Sequence, residues 1–459
     1  MRTPPPLRPL VALLATWVTL SAAPAETWRA GVARVDITPP SGLWMTGYAA
    51  RTRPAEGTAQ PLWVKALALA DPAGNRGVLL TLDLCGINRD LSDRVAAAIG
   101  RRHGLPRSAV MTNVSHTHCS PAMPGIITGL RILPPDGREK SHDYARALEE
   151  KMIRAADAAL TALAPATLAW AEDEAHFGYN RRENPATDVP GQRAAGKLKG
   201  PFDPRVPVFA VRAPDGALRA LLVSYACHNT TLQFYQWHGD YAGAAQEELE
   251  KRHPGATVLF ASGCGADANP APRGTVELAG QHGRALADAA DRALAKPMTP
   301  IAGRFASALE DVTLRFSHRP TEEQLRTARE KEQPNKEMHQ AWAAAVTEKF
   351  RTHGDAALHH AYPIQAWQLG ALSWTALGGE VVVDYSLRLR RELGDNLWVF
   401  GYSTDVMAYI PSERVLKEGR YEGDTSMVPY GQPSAWAPGL EESIVAKARE
   451  LVTRTRSPR

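Results

Sequence analysis

Five short polar motifs in this chain carry the residue types that a metal-assisted reaction requires. In Asn113-Val114-Ser115-His116-Thr117-His118-Cys119 the histidines are two apart, so an extended backbone turns both rings to one side. Imidazole is the commonest metal ligand near neutral pH, yet His-x-His is equally compatible with a surface or hydrogen-bonded pair. Tyr225-Ala226-Cys227-His228-Asn229-Thr230 again runs from an apolar stretch into a histidine, and taken alone it also reads as structural. The glycine-rich Ser262-Gly263-Cys264-Gly265-Ala266-Asp267-Ala268-Asn269-Pro270 could cradle an anion or merely turn the chain; it lacks the lysine of a phosphate loop. Gly378-Gly379-Glu380 places a carboxylate at a strand end, where a buried charge needs a partner or a metal. Tyr409 and Tyr421 stand in an irregular stretch that starts at Tyr402, each as compatible with a core as with catalysis. Together the motifs supply imidazoles, a carboxylate and phenols, enough for a zinc site of three or four protein ligands with one position open for water.

The elements that must position these residues alternate between strand and helix. Val78–Leu82, Val110–Val114, Val208–Val211, Ala220–Ala226, Thr257–Ala261, Ala366–Leu377 and Leu397–Gly401 read as strands. Leu91–Arg102, Ala244–Lys251, Leu278–Ala295 and a segment from near Tyr385 read as helices. Tyr144, Leu148, Met152, Ala156 and Leu160 recur every four residues, which predicts a further helix with Ser141 as its N-cap. The alternation predicts an α/β fold with helices over buried sheet. Thr321–Phe350, rich in Glu, Lys, Gln and Ala, reads as a helical insertion broken near Pro334.

The composition narrows the classes. Of 459 residues, 44% are apolar and 22% charged, which is globular and excludes a polytopic membrane protein. The formal charge is only +4 and no long Lys/Arg block occurs, so nucleic acid is not an expected partner. Arg2 and Arg8, the apolar run Leu10–Leu20 and Ala23-Pro24-Ala25 have the layout of a signal peptide over residues 1–25. Secretion or periplasmic export follows, with no transmembrane segment expected in the mature chain. Cys85, Cys119, Cys227 and Cys264 are too few for a disulfide framework, and spacing leaves open whether any of them pair.

The order of motifs resembles the N-terminal catalytic domain of neutral/alkaline (non-lysosomal) ceramidases. Gly31-Val32-Ala33-Arg34-Val35-Asp36-Ile37-Thr38-Pro39, Met45-Thr46-Gly47-Tyr48, Ser115-His116-Thr117-His118, His228-Asn229-Thr230, Gly379-Glu380 and Tyr421-Glu422-Gly423 carry the likeness. It implies mixed sheets flanked by helices, in one catalytic domain over residues 26–459, and a zinc-dependent hydrolase of amide bonds. It also implies one Zn²⁺ on His116, His228, Glu380 and Tyr409, with His118 on the substrate side. Arg181 matches the arginine of the family's Asn-Arg motif, and Tyr421 matches the tyrosine facing the scissile carbonyl. Asp267 and Asn269 fall in the substrate-contacting loop. Two departures stand out: Asn269 replaces the family serine, and the chain stops at Arg459 without the family's C-terminal immunoglobulin-like domain.

The expected substrate is a small-molecule or lipid N-acyl compound. Three functions fit these residues: a ceramidase-like amidohydrolase, a hydrolase of the same fold acting on a non-sphingolipid amide or ester, and a non-catalytic exported metal- or solute-binding protein.

Overall fold

Three sheets bring their strand ends to one place, and the reason lies in their pairing. In the first sheet, Val110–Val114 runs parallel to Arg76–Leu82, which continues antiparallel through Trp63–Ala70 to Arg29–Asp36. In the second, Thr257–Ser262 runs parallel to Leu218–Tyr225, followed by antiparallel Arg205–Arg212 and Thr167–Glu174. In the third, Leu397–Phe400 runs parallel to Leu372–Leu377, which pairs antiparallel with His359–Leu369 and then Phe305–Arg315. A parallel pair ends at one common edge, where α/β proteins place ligands. The segments after Val114, Tyr225, Ser262, Leu377 and Phe400 are the polar motifs.

The computed structural model describes residues 27–126 and 132–457, together with Met1 and Thr3. The signal peptide expected over residues 1–25 therefore lies outside the described residues apart from those two. Among the described residues, no helix is long and apolar enough to cross a membrane.

Asn113 ties the three sheets together. Its side-chain amide donates to Ser262 O at 3.3 Å, Gly401 O at 2.8 Å and Ser403 Oγ at 3.1 Å, while its oxygen accepts from the Ser262 N–H at 2.8 Å. Behind it, Trp367, Trp374 and Trp398 stack at 6.0 and 5.9 Å, and Phe209 and Trp170 from the second sheet meet them edge-on. Emptying one such aromatic position costs about 3–5 kcal/mol, so this seam holds the second and third sheets in register.

The helices expected from periodicity form at Arg89–His103, Asp240–Arg252, Val276–Ala295 and Asp384–Leu393. The insertion folds as Glu322–Glu330 and Lys336–His353, with a capping box at Thr321 and its own small core around Leu325, Trp342 and Phe350. Two expectations are corrected. Ser141 is not an N-cap: the helix starts at Pro135, a residue whose missing N–H suits a first turn, and Ser141 Oγ bonds back to Gly137 O at 3.0 Å. Ala366–Leu377 is not one strand but part of a hairpin that reverses at Gly370, whose φ is 56°. All four cysteines are buried and free.

Between the first two sheets, buried Lys65 pairs with Glu250 at 2.7 Å, and Asp83 accepts from the Trp63 N–H at 3.0 Å. Burial pushes the Asp83 carboxyl up to about 6, against the pull of Lys65 and the Trp63 N–H. The folded chain thus keeps a proton there that the unfolded chain releases above about pH 4. Stability from this group falls as pH rises from about 4 to about 6. Urea unfolding across that window is expected to show the slope in the native chain and a flatter profile in Asp83→Asn.

Candidate metal centre

Local backbone geometry aims each motif. His116 follows Val114 by two residues and takes the left-handed conformation at φ 59°, a strained choice that turns its ring out of the strand direction. The ring then lies 4.5 Å from the ring of Tyr402, another left-handed residue at φ 48°. Glu380 and Tyr409 are direct partners in a two-residue parallel ladder, so the carboxylate and the phenol start side by side. The ladder needs Gly379: its φ is 75°, and a Cβ there would stand 2.7 Å from Ala408 O.

Three donor atoms then converge from segments that follow strands of the three sheets. His116 Nε2 lies 3.1 Å from Glu380 Oε2, and His228 Nε2 lies 3.0 Å from the same oxygen. The Tyr409 hydroxyl stands 3.2 Å from His228 Nε2. His116, His228 and Glu380 form a buried group able to hold a metal ion. The separations suit one: ligands about 2.0–2.1 Å from a tetrahedral zinc lie roughly 3.3 Å apart.

The hydrogen bonds around the group point the same way. His116 Nδ1 donates to Cys85 O at 2.5 Å and His228 Nδ1 to Gly265 O at 2.9 Å, which aims both Nε2 atoms at the shared point. Burial first, and then the Arg181 cation, pushes the His228 imidazole down to about 4, so it is neutral and able to ligate at neutral pH. Glu380 Oε2 is buried and makes no hydrogen bond, an orphan acceptor that a cation would satisfy. Burial opposes its charge, yet a protonated His116 beside it holds the carboxyl well below its usual range, and Glu380 in turn holds that imidazole well above its own, so a metal ion would bind by displacing the proton.

The other expected residues surround this group. His118 Nε2 stands 3.1 Å from His116 Nε2, and its Nδ1 is buried without a partner. Cys85, His116 and His118 form a second group of possible ligands that shares His116. Arg181 donates from Nη2 to the Tyr409 hydroxyl at 3.1 Å, from Nη1 to Asn269 Oδ1 at 3.2 Å and from Nε to Glu422 at 2.8 Å. Asp267 is fully buried and accepts from the Val383 N–H at 2.9 Å and the Asn180 amide at 3.2 Å. The glycine-rich turn spends its backbone groups on the fold, since Gly263 N donates to Tyr225 O, Ala266 N to Val381 O and Gly265 O accepts from His228.

Tyr421 sits with its ring 5.3 Å from that of Tyr409 and, with 46% of its surface exposed, faces a cavity of about 970 Å³. Trp44, Met123 and Leu133 line the cavity on one side, and Met338 and Trp342 of the insertion line another. Neither Asp267 nor Asn269 lines it. Tyr430 does, and its hydroxyl donates to Glu380 Oε1. Sequence reasoning missed Tyr430, Tyr402 and Asn113 as contributors. Tyr402 carried a signal as the residue opening the irregular stretch, whereas nothing in the periodicity distinguishes Tyr430.

A family model described as neutral/alkaline non-lysosomal ceramidase, N-terminal, matches residues 28–273. A solved ceramidase complexed with C2 superposes with a TM-score of 0.71 at 17% identity, over 94% of this chain and 77% of its own. The neutral ceramidase from Pseudomonas aeruginosa superposes with a TM-score of 0.70 at 18% identity, over 94% and 76%. No curated protein sequence matches the chain.

Proposed function

Because the chain belongs to the neutral/alkaline non-lysosomal ceramidase family, we propose that it is an exported zinc-dependent amidohydrolase cleaving an N-acyl amide bond. The observation that carries this reading is the meeting of His116, His228 and Glu380 donor atoms beside a cavity walled by Tyr421 and Tyr430. His116, His228, Glu380 and Tyr409 would hold the ion. When bound, zinc supplies Lewis-acid polarisation of a carbonyl and lowers the pKa of a water towards about 7.

The protein's own residues do the rest. The Tyr430 hydroxyl on Glu380 Oε1 fixes the carboxylate so that Oε2 faces the imidazoles. Tyr421 presents a phenolic donor to the carbonyl oxygen as it gains charge. His118, whose Nε2 stands 3.1 Å from His116 Nε2 at the edge of the donor group, is placed to take or give a proton near the leaving amine. Arg181, which donates to the Tyr409 hydroxyl, Asn269 and Glu422, orients Tyr409 and Asn269 and keeps two N–H groups for a further bond. The apolar cavity wall favours a long acyl chain, and the N-terminal layout of residues 1–25 supports export.

A second reading keeps the hydrolase and changes the substrate to a non-sphingolipid amide or ester. Asn269 in place of the family serine favours it. Purified mature protein should be assayed against ceramides, short- and long-chain N-acyl amides and matched esters, with zinc measured in parallel. The expected result is one zinc per chain and turnover of long-chain N-acyl amides. Turnover confined to esters or short acyl compounds selects the second reading. Stoichiometric zinc without turnover of any acyl compound means a metal-binding protein.

A further inference from the structure

The turn that carries Tyr421 is held by a buried ion-pair network in which Glu422 and Arg182 have no role in the chemistry described above. Glu422 is the hub. One carboxylate oxygen accepts from Arg181 Nε at 2.8 Å and the other pairs with Arg182 Nη1. Arg182 is the anchor: its side chain is 1% exposed, it also binds Glu418 at 2.8 Å, and its backbone oxygen accepts from Arg420 Nη1 at 2.7 Å. Two segments far apart in sequence, residues 181–182 and 418–422, are thereby joined by three ion pairs and a side-chain-to-backbone hydrogen bond.

The geometry of the turn explains why such a clamp is needed. Arg420 is left-handed at φ 62°, residues Tyr421–Thr425 form a single π-type turn, and Gly423 packs where a Cβ would stand 2.5 Å from Val415 O. Such a turn is strained and short, and it does not hold itself. The Tyr421 hydroxyl makes no hydrogen bond among the described residues, and half the ring is open to the cavity. Its position depends on its backbone, and its backbone depends on the next residue. The Arg181 guanidinium reaches both sides of this arrangement, donating to the Tyr409 hydroxyl and lying 5.9 Å from the Tyr421 ring.

We propose that Glu422, paired with Arg181 and Arg182, is a positioning residue that sets where the Tyr421 hydroxyl stands relative to the metal group. The proposal rests on the reading of Tyr421 as the donor to the reacting carbonyl. A misplacement of about 1 Å in such a donor costs on the order of 100-fold in rate, so loss of the clamp acts on turnover more than on substrate binding. Glu422 touches no substrate; it acts through its neighbour.

A double-mutant cycle tests this on the zinc-loaded full-length mature protein, using whichever N-acyl amide the wild type turns over fastest. Glu422→Gln is expected to lower kcat about 10- to 100-fold with KM within about twofold and zinc content unchanged. In the Tyr421→Phe background, the same substitution is expected to cost less than about twofold, because the donor it positions is already gone. Equal losses in both backgrounds, or wild-type kcat in Glu422→Gln, would overturn the proposal. Wild-type turnover in Tyr421→Phe removes the reading of Tyr421 itself and the proposal with it, an outcome visible in the single variant. If Glu422→Gln does not accumulate as folded protein, Arg182→Lys enters the same cycle, since it keeps the charge and loses the forked pairing.

Discussion

His116→Ala is expected to leave a folded protein that neither retains zinc nor turns over substrate. His116 Nε2 is one of two imidazole nitrogens meeting at Glu380 Oε2, and its ring is aimed by a strained backbone at φ 59° and by the bond from Nδ1 to Cys85 O. Losing a residue that merely orients a ligand costs roughly 10- to 100-fold in metal affinity or activity, so losing the ligand itself costs more than that. Alanine also leaves Glu380 with one imidazole where it had two, and a buried carboxylate so deprived tends to take up a proton instead of a cation. Zinc content by mass spectrometry and turnover on the same sample check both halves. A variant that keeps full zinc would mean that His116 is not a ligand.

Tyr421→Phe is expected to separate chemistry from metal binding. The substitution removes one hydroxyl from a half-exposed ring that makes no contact with His116, His228 or Glu380, so zinc content stays at the wild-type level. Turnover is expected to fall at least about tenfold, and loss of one preorganised donor to a developing oxyanion reaches about 100- to 1,000-fold in other enzymes. KM changes little if the hydroxyl bonds the carbonyl mainly as charge develops. Steady-state kinetics beside a zinc assay decide it: wild-type turnover refutes the role, and lost zinc moves Tyr421 into the metal shell.

The sequence made the local features legible and left the assembly to be seen. Val110–Val114 and Thr257–Ser262 declare themselves as buried strands because both faces are covered, and the motifs following them are polar against that background. The insertion was readable because Pro334 interrupts a strongly helical composition. Ser141 misled because a good capping residue also fits inside a helix, where its hydroxyl bonds back one turn, and the prolines at 134 and 135 held the true start. Gly370 inside an apolar run marked a reversal that periodicity alone does not reveal.

Convergence was the part that residue patterns do not encode. His116 and Glu380 meet because Asn113 and the stacked tryptophans join three sheets edge to edge, and those contacts follow from packing between distant segments. The family likeness supplied the proposed ligand set for that reason, by the order of motifs and not by spacing. It did not extend to Tyr430 or to the Arg182–Glu422 pair, which become visible only as atoms in contact.

The central claim is that side chains from three sheets hold one zinc ion. Anomalous diffraction at the zinc edge from crystals of the mature protein tests it most directly. The account predicts a single peak about 2.0–2.2 Å from His116 Nε2, His228 Nε2, a Glu380 oxygen and the Tyr409 hydroxyl. A peak at any other place, or a fully active enzyme with no peak at all, would contradict it.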